Sequence, residues 1–417
     1  MKVIRTNIAL KSDHRRVLAR PFVISNEERL QKIFSRILSL PKDKCSEELN
    51  SILTDFESRH KNIKAVFAKR ADELKGHIKN YDKLAQEQRL LIGAYFTMEY
   101  SVEAAALFNP SLVWHPDQTK LPAGSRRFVV SLRSTGEGHI SSITFRSGVI
   151  DSGNNIKLDE PTRYLCLPEA IEDHGHSDYT MTFANDTELS ERILFPYAPA
   201  ETNGVEDARF VQFTEDDGSV KYYATYTAYD GHSITPRILE TTNFITFKVS
   251  SLKGSEVVNK GFALFPRKIK GKYAMLSRQD NENNFIMFSD DLYTWNSRKM
   301  IMEPEYPWDF IQLGNCGSPI ETDAGWLVLS HGVGAMRKYS IGAFLLDKDN
   351  PERVIGRLKE PLISPNENER EGYVPNVVYS CGGLISRDEL IIPYAMSDYA
   401  SSFAKAGLKE IIKELLL

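Results

Sequence analysis

The sequence predicts a mainly β protein: a β-propeller preceded by an N-terminal α-helical domain. Three observations predict it. Before residue 108, apolar residues recur at helical spacing in successive stretches, each with one apolar stripe and one charged face. From residue 108 onward the chain becomes short apolar or alternating runs broken by polar turns. Within that part a weak unit recurs: strand, turn, strand, then an Asp/Ser-rich turn with an aromatic, as in Ser289-Asp290-Asp291-Leu292-Tyr293-Thr294-Trp295. Repeated antiparallel units of this size point to a propeller, with a β-sandwich as the other architecture that fits.

Residues 1–24 read as an extended arm. Ser25-Asn26-Glu27-Glu28 has the form of a capping box, and Leu30, Ile33, Phe34, Ile37 and Leu38 follow at helical spacing until Pro41. A second helix is expected from Ser46, with Leu49, Ile52, Leu53 and Phe56 on one face. A third carries Ile63, Val66, Phe67, Leu74 and Ile78, and a fourth spans 84–107. Such stripes pack as a bundle or against a neighbouring domain. The pattern changes at Phe108-Asn109-Pro110-Ser111. Strands are expected at 128–132, 142–145, 244–247, 285–288, 326–329 and 390–394, with turns at Asp217-Gly218, Asp230-Gly231 and Lys270-Gly271.

The 417 residues are 41% hydrophobic and 26% charged, with a net charge of −4 and no long basic run. That composition is globular and argues against a nucleic-acid or anionic-membrane partner. No apolar run is long enough to span a bilayer, and Met1-Lys2-Val3-Ile4-Arg5-Thr6 lacks the apolar core of a signal peptide. Cys45, Cys166, Cys316 and Cys381 are scattered, which fits free thiols in a reducing cytoplasm better than a zinc site or a disulfide framework.

One stretch concentrates chemistry. Asn203-Gly204-Val205-Glu206-Asp207-Ala208-Arg209 puts two adjacent carboxylates and an arginine at the mouth of an expected hairpin. A partly desolvated carboxyl there can have a raised pKa, as a general acid needs. A solvated acidic turn with a local ion pair is the plainer reading. Other polar stations recur at strand ends: Asn109 with Arg133, Lys260 with Arg278, Gln312 with His331, and Asp398. Singly, each also has an ordinary reading: a surface ion pair for Arg133, a satisfied core histidine for His331, a turn lysine for Lys260, a turn cap for Asp398. Tyr95 and Trp114 are candidates to stack on a sugar, and equally to pack in a core.

Together with their surroundings these stations resemble glycoside hydrolase family 130, the β-mannoside phosphorylases and mannosidases. The resemblance runs from about residue 108 to the C-terminus. It is carried by Phe108-Asn109, Gly204-Val205-Glu206-Asp207-Ala208-Arg209, Ala263-Leu264-Phe265-Pro266-Arg267-Lys268-Ile269 and Met275-Leu276-Ser277-Arg278. It continues through Gly325-Trp326-Leu327, His331-Gly332-Val333, Gly342-Ala343-Phe344-Leu345-Leu346-Asp347 and Val374-Pro375-Asn376-Val377. The resemblance implies a five-bladed propeller as a catalytic domain over 108–417, behind an arm and helical domain over 1–107. It implies Asp207 as general acid, Asn109, Arg133, Glu206, Arg209 and Asp398 as substrate-binding residues, and Lys260, Arg278, Gln312 and His331 as phosphate-binding residues. Ala208 stands where the family usually has Pro, and uncharged Gln312 falls where the family's phosphorylases have a lysine. The implied reaction is inverting phosphorolysis of a β-1,2 or β-1,4 mannooligosaccharide to mannose 1-phosphate, with inorganic phosphate as co-substrate and no metal. A hydrolytic β-mannosidase, with Asp280, Glu282 or His331 as base, is the alternative, and a non-catalytic glycan-binding propeller is a second. A homo-oligomer through the helical domain is also expected.

Overall fold

In the computed structural model, which describes residues 2–417, strands dominate and the mainly β expectation holds. Backbone contacts divide the chain into two units. One comprises Asp13–Glu103 and Thr162–Cys166. It contains α1 (Glu27–Leu38), α2 (Lys42–Phe56), α3 (Ile63–Glu73) and α4 (Gln86–Tyr95). Asn26, rather than Ser25, caps α1, its side chain accepting from the Arg29 amide at 2.8 Å. The stripes meet in one apolar core that includes Leu30, Phe34, Leu49, Leu53, Phe67 and Leu91. The fourth helix is shorter than its apolar pattern predicts. It stops at Tyr95, and Thr97–Ser101 runs instead as a strand paired antiparallel with Val17–Pro21. That ladder supplies the hydrogen-bond partners that further helical turns would have given the same backbone.

The other unit holds Ala104–Pro161, Leu167–Leu417 and the N-terminal residues up to Ser12. Its strands form five successive antiparallel meanders. The first is Ala106–Trp114, Arg126–Thr135 and Ser141–Ile150, with Ile156–Leu158 at its edge. The second is Gly204–Thr214, Val220–Tyr229, Ile234–Thr241 and Thr246–Ser251, extended by Asp178–Thr182 and Ala170–Gly175. The third is Ala263–Leu264, Tyr273–Ser277, Asn284–Ser289 and Lys299–Met302. Gln312–Asn315, Gly325–Gly334, Lys338–Leu346 and Val354–Arg357 make the fourth. The fifth pairs Val378–Tyr379, Glu389–Met396 and Ala400–Gly407, and Val3–Arg5 adds its outer strand.

Alternating side chains make each meander apolar on both faces, so the cores lie between neighbouring meanders. Phe145 of the first packs on Phe210 and Phe247 of the second. Phe213 and Tyr223 of the second share a cluster with Leu264 and Met287 of the third. Leu276 and Ile286 of the third meet Trp326 and Phe344 of the fourth. Leu329 and Leu345 meet Ile392 and Ala404 of the fifth, and a last cluster joins Ile391 and Phe403 to Val130 and Leu132 of the first.

The N-terminal strand is fixed by charge as well as by its ladder. Arg5 Nε and Nη2 donate to both oxygens of Glu369 at 2.8 and 3.0 Å, and the Tyr394 hydroxyl donates to the same carboxylate at 2.7 Å. Glu369 is buried, so its removal strands the phenol and the guanidinium. Glu369→Ala is expected to destabilise the protein by about 2–3 kcal/mol, seen as a lower urea midpoint. An unchanged midpoint would show that the strand is held by its ladder alone.

Candidate active site

Two β-bulges build the site. Register slips between Phe108 and Ser111 on the first strand of the first meander, and between Glu206 and Arg209 on that of the second. Inside them Asn109 and Asp207 take left-handed backbone, with φ of 48° and 53°. Non-glycine residues rarely do so, and bulges re-aim the side chains they carry. Here the two side chains meet: Asn109 Nδ2 donates to Asp207 Oδ1 at 2.7 Å. Asn109 Oδ1 is buried and accepts no hydrogen bond among the described residues.

Arg133, on the neighbouring strand, donates to Glu206 Oε1 at 2.7 Å and to Ser141 Oγ at 2.9 Å, and its Nη1 lies 3.5 Å from Asp207 Oδ1. Asp398 sits in the turn between Glu389–Met396 and Ala400–Gly407, again left-handed at φ 50°. Burial, then the charge of Asp207, pushes its carboxyl up to about 6, against the opposing pull of Arg133, Arg337 and Lys260. Glu206 is raised as well, first by burial and also by Asp207. Lys260, partly exposed on the loop before Ala263–Leu264, acts electrostatically on Glu206, Asp207, Asp398 and His331.

Asp207 departs from expectation. Burial alone would raise its pKa, as the sequence predicted. Arg133, Arg209, Lys260 and the Asn109 hydrogen bond outweigh that and hold it below its ordinary value. Asp207 is thereby held as a carboxylate.

Arg209 faces inward. Its guanidinium is buried and donates to the Cys316 carbonyl at 2.8 Å, the Tyr379 hydroxyl at 2.8 Å and the Asp207 carbonyl at 3.2 Å. Arg278 follows strand Tyr273–Ser277 and lies buried against His331, Nη1 to Nε2 3.5 Å. Burial and the charges of Arg278, Arg209 and Lys260 drive His331 far below its ordinary pKa, so the imidazole is neutral. Its ring packs 4.9 Å from Tyr379 and 6.0 Å from Tyr339. Gly314 makes this possible: a Cβ there would lie 2.6 Å from His331 Cε1 and 2.9 Å from Arg278 Cδ. Gln312 heads the same strand, opposite Val333 and on the face of Gly314 and His331.

Contacts and electrostatics thus tie Asn109, Arg133, Glu206, Asp207, Arg209, Lys260, Arg278, His331 and Asp398 into one group. Asp280 and Glu282 do not join it: both are exposed, and Asp280 accepts from the Glu282 and Asn283 amides of its own turn, each at 2.9 Å. Trp114 packs beneath Arg126, 3.9 Å from the guanidinium carbon to its ring, and the Tyr95 hydroxyl donates to Glu48 at 3.0 Å. Sequence reasoning missed Tyr379 and Arg337. Tyr379 looks like any strand aromatic; Arg337 lies in the turn six residues after His331, and that position was its only signal.

The raised Asp398 carboxyl has a consequence for stability. Its folded pKa exceeds the unfolded one, so between about pH 4 and 6 the folded state binds more protons and stability falls as pH rises. Asp398→Asn should therefore raise the melting temperature more at pH 7.5 than at pH 4.5. Equal shifts at both values would contradict the assignment.

Comparison with known proteins shows the family. The glycoside hydrolase family 130 model, described as β-1,4-mannooligosaccharide phosphorylase, matches residues 182–416. A 1,2-β-oligomannan phosphorylase from Thermoanaerobacter is 36% identical over 232 residues, covering 54% of this chain and 76% of the relative. A β-1,4-mannooligosaccharide phosphorylase from Ruminococcus albus is 32% identical over 239 residues, covering 53% and 70%. The structure of a β-1,2-mannobiose phosphorylase from Listeria innocua superposes with a TM-score of 0.54 at 20% identity, covering 76% of this chain and 93% of that one. The matched segment contains Glu206-Asp207, Arg209, Lys260, Arg278, His331 and Asp398, and the chain belongs to glycoside hydrolase family 130.

Proposed function

We propose that the protein is an inverting β-mannoside phosphorylase that cleaves β-1,2 or β-1,4 mannooligosaccharides with inorganic phosphate and releases mannose 1-phosphate. The observation that carries this is the meeting of a carboxylate group (Asp207, Glu206, Asp398) with a cationic one (Lys260, Arg278) around neutral His331. A sugar needs fixed donors and acceptors, and the buried Asn109 Oδ1, which has no partner among the described residues, is an acceptor suited to a hydroxyl. Arg133 and Asp398 complete that subsite. Phosphate needs several donors; Lys260 and Arg278 supply charge, and the buried Arg278 Nε lacks a partner among the described residues. His331 adds a neutral polar group, and Gln312 an amide in place of a charge.

The ionised state of Asp207 fits this order of events. Bound phosphate opposes the cations that keep Asp207 ionised, and burial then favours its protonated form. Asp207 delivers that proton to the glycosidic oxygen, directly or through a sugar hydroxyl, as the C1–O bond breaks. A phosphate oxygen bonds C1 from the opposite face, which inverts it. Arg209 acts as a positioning residue, holding the Asp207 backbone rather than the sugar. Hydrolysis is less well served, because Asp280 and Glu282, the carboxylates considered as its base, stand apart in an exposed turn.

We also infer that the five meanders are the blades of a five-bladed propeller forming a catalytic domain over 108–417, since apolar clusters join each to the next and the fifth to the first. The helices before it form a separate module. An apolar pocket of about 400 Å³ between Ile52, Phe56, Phe67 and Met98 supports an oligomerising role for that module. Light scattering of the intact protein should give more than one chain per particle, and a monomer would remove that role. The reading places the reaction in the cytoplasm, where the buried Cys45, Cys316 and Cys381 stay as thiols.

Mannosyl release from β-mannobiose should require phosphate; equal turnover without it would reject phosphorolysis. Asp207→Asn should lower kcat by about 10²–10⁴-fold, and a fully active variant would overturn the acid assignment. Lys260→Met should raise the KM for phosphate by about tenfold while leaving the KM for sugar nearly unchanged.

A further inference from the structure

The leading strands of the meanders carry the candidate active site at one end and a second cavity at the other. Asn109 and Asp207 lie on Ala106–Trp114 and Gly204–Thr214, Lys260 precedes Ala263–Leu264, Gln312 heads Gln312–Asn315, and Tyr379 of Val378–Tyr379 packs on His331. Further along the chain from each come Trp114, Gln212, Arg267, Ser318 and Ile385, one from each meander, and these line a single cavity of about 330 Å³. Asn109 and Trp114 are five residues apart, as are Asp207 and Gln212, which is about 16 Å of extended strand. Arg209 and Cys316, buried and bonded to each other, lie between the two groups in the chain.

Phe210 and Ile385 give this cavity apolar walls, and hydrogen-bonding groups that the fold leaves unused stand among them. The Ser318 hydroxyl is buried and has no partner among the described residues. The side chains of Gln212 and Thr214 make no hydrogen bond among those residues either. Three of the four tryptophans donate the indole N–H to a carbonyl: Trp295 to Leu292, Trp308 to Lys359 and Trp326 to Lys348. Trp114, whose ring lies under Arg126, has no such acceptor among the described residues.

The cavity does not suit an ion. Its charged lining residues are Arg267 and Glu321, and they bind each other through two hydrogen bonds of 2.9 and 2.8 Å. A purely apolar ligand fits no better, because it would shut the Ser318 hydroxyl away from water without a partner. A neutral molecule with hydroxyls around a C–H face answers both kinds of wall.

We propose that this cavity is a second saccharide site, separate from the catalytic one, in which Gln212, Ser318 and Trp114 bind the hydroxyls of a neutral sugar and Phe210 and Ile385 its C–H face. The mannoside reading above supplies only the probes, β-1,2-mannobiose and β-1,4-mannobiose. Each is titrated into the full-length protein without phosphate while tryptophan fluorescence is followed. The wild type should show a saturable change with at least one probe. Arg133→Met, altered at the catalytic end, should keep that change, and Trp114→Phe should abolish it. Gln212→Leu, which keeps the side-chain size and loses the amide, should raise the midpoint about tenfold. The same variant should keep the wild-type melting temperature and, in phosphate, the wild-type kcat and KM. No saturable change with either probe, a change lost in Arg133→Met, or an unmoved midpoint in Gln212→Leu overturns the second site and leaves the phosphorylase reading intact. Turnover is scored separately: a wild type that cleaves neither probe in phosphate counts against the phosphorylase reading, while the binding result still decides the second site.

Discussion

One buried guanidinium ties the site together. Arg209 leaves the second meander, reaches the Cys316 carbonyl at the start of the fourth and the Tyr379 hydroxyl at the start of the fifth, and bonds back to the carbonyl of Asp207. Its planar fork satisfies three acceptors in fixed directions, which an ammonium group would not reproduce. The strained backbone of Asp207 persists because both sides hold it: Arg209 through the main chain, Asn109 through the carboxylate. Tyr379 in turn packs against His331, so the acid and the histidine share a support.

That shared support separates the site into halves of opposite character. Carboxylates and Arg133 lie on the side of the first, second and fifth meanders. Lys260, Arg278 and His331 come from the third and fourth. Charge on one half sets the protonation of the other, because burial removes the water that would screen them. The low pKa of Asp207 and the high ones of Asp398 and Glu206 are one electrostatic outcome: the carboxylate best surrounded by cations keeps the negative charge, and its neighbours resist adding more.

Much of this was legible in the sequence wherever the cause is local. Apolar spacing located α1 to α3, and apolar runs located central strands such as Arg126–Thr135, Ser141–Ile150, Asn284–Ser289, Gly325–Gly334 and Glu389–Met396, because burial is written in neighbouring residues. The Asn203-Gly204 turn and the acidic pair after it announced a special segment. What was illegible depends on distant chain. Nothing near Thr97 signals that Val17–Pro21 will pair with it and end the fourth helix early. Nothing around Arg209 tells whether its side chain turns to a ligand or to Cys316. The direction of the Asp207 shift followed from Arg133, 74 residues away in the chain, with Arg209 two residues on and Lys260 53 residues on; the approach of Arg133 and Lys260 only the fold decides.

The outer strand of the last sheet has a temporal implication. Val3–Arg5 leaves the ribosome long before its partner strand Ala400–Gly407. During synthesis the early strand waits unpaired until the strands of the fifth meander have emerged. The ladder joins residues far apart in the chain, the kind of long-range pairing that slows folding and exposes nascent chains to mispairing. Completion of the sheet whose turn carries Asp398 is thereby tied to the late emergence of its own strands.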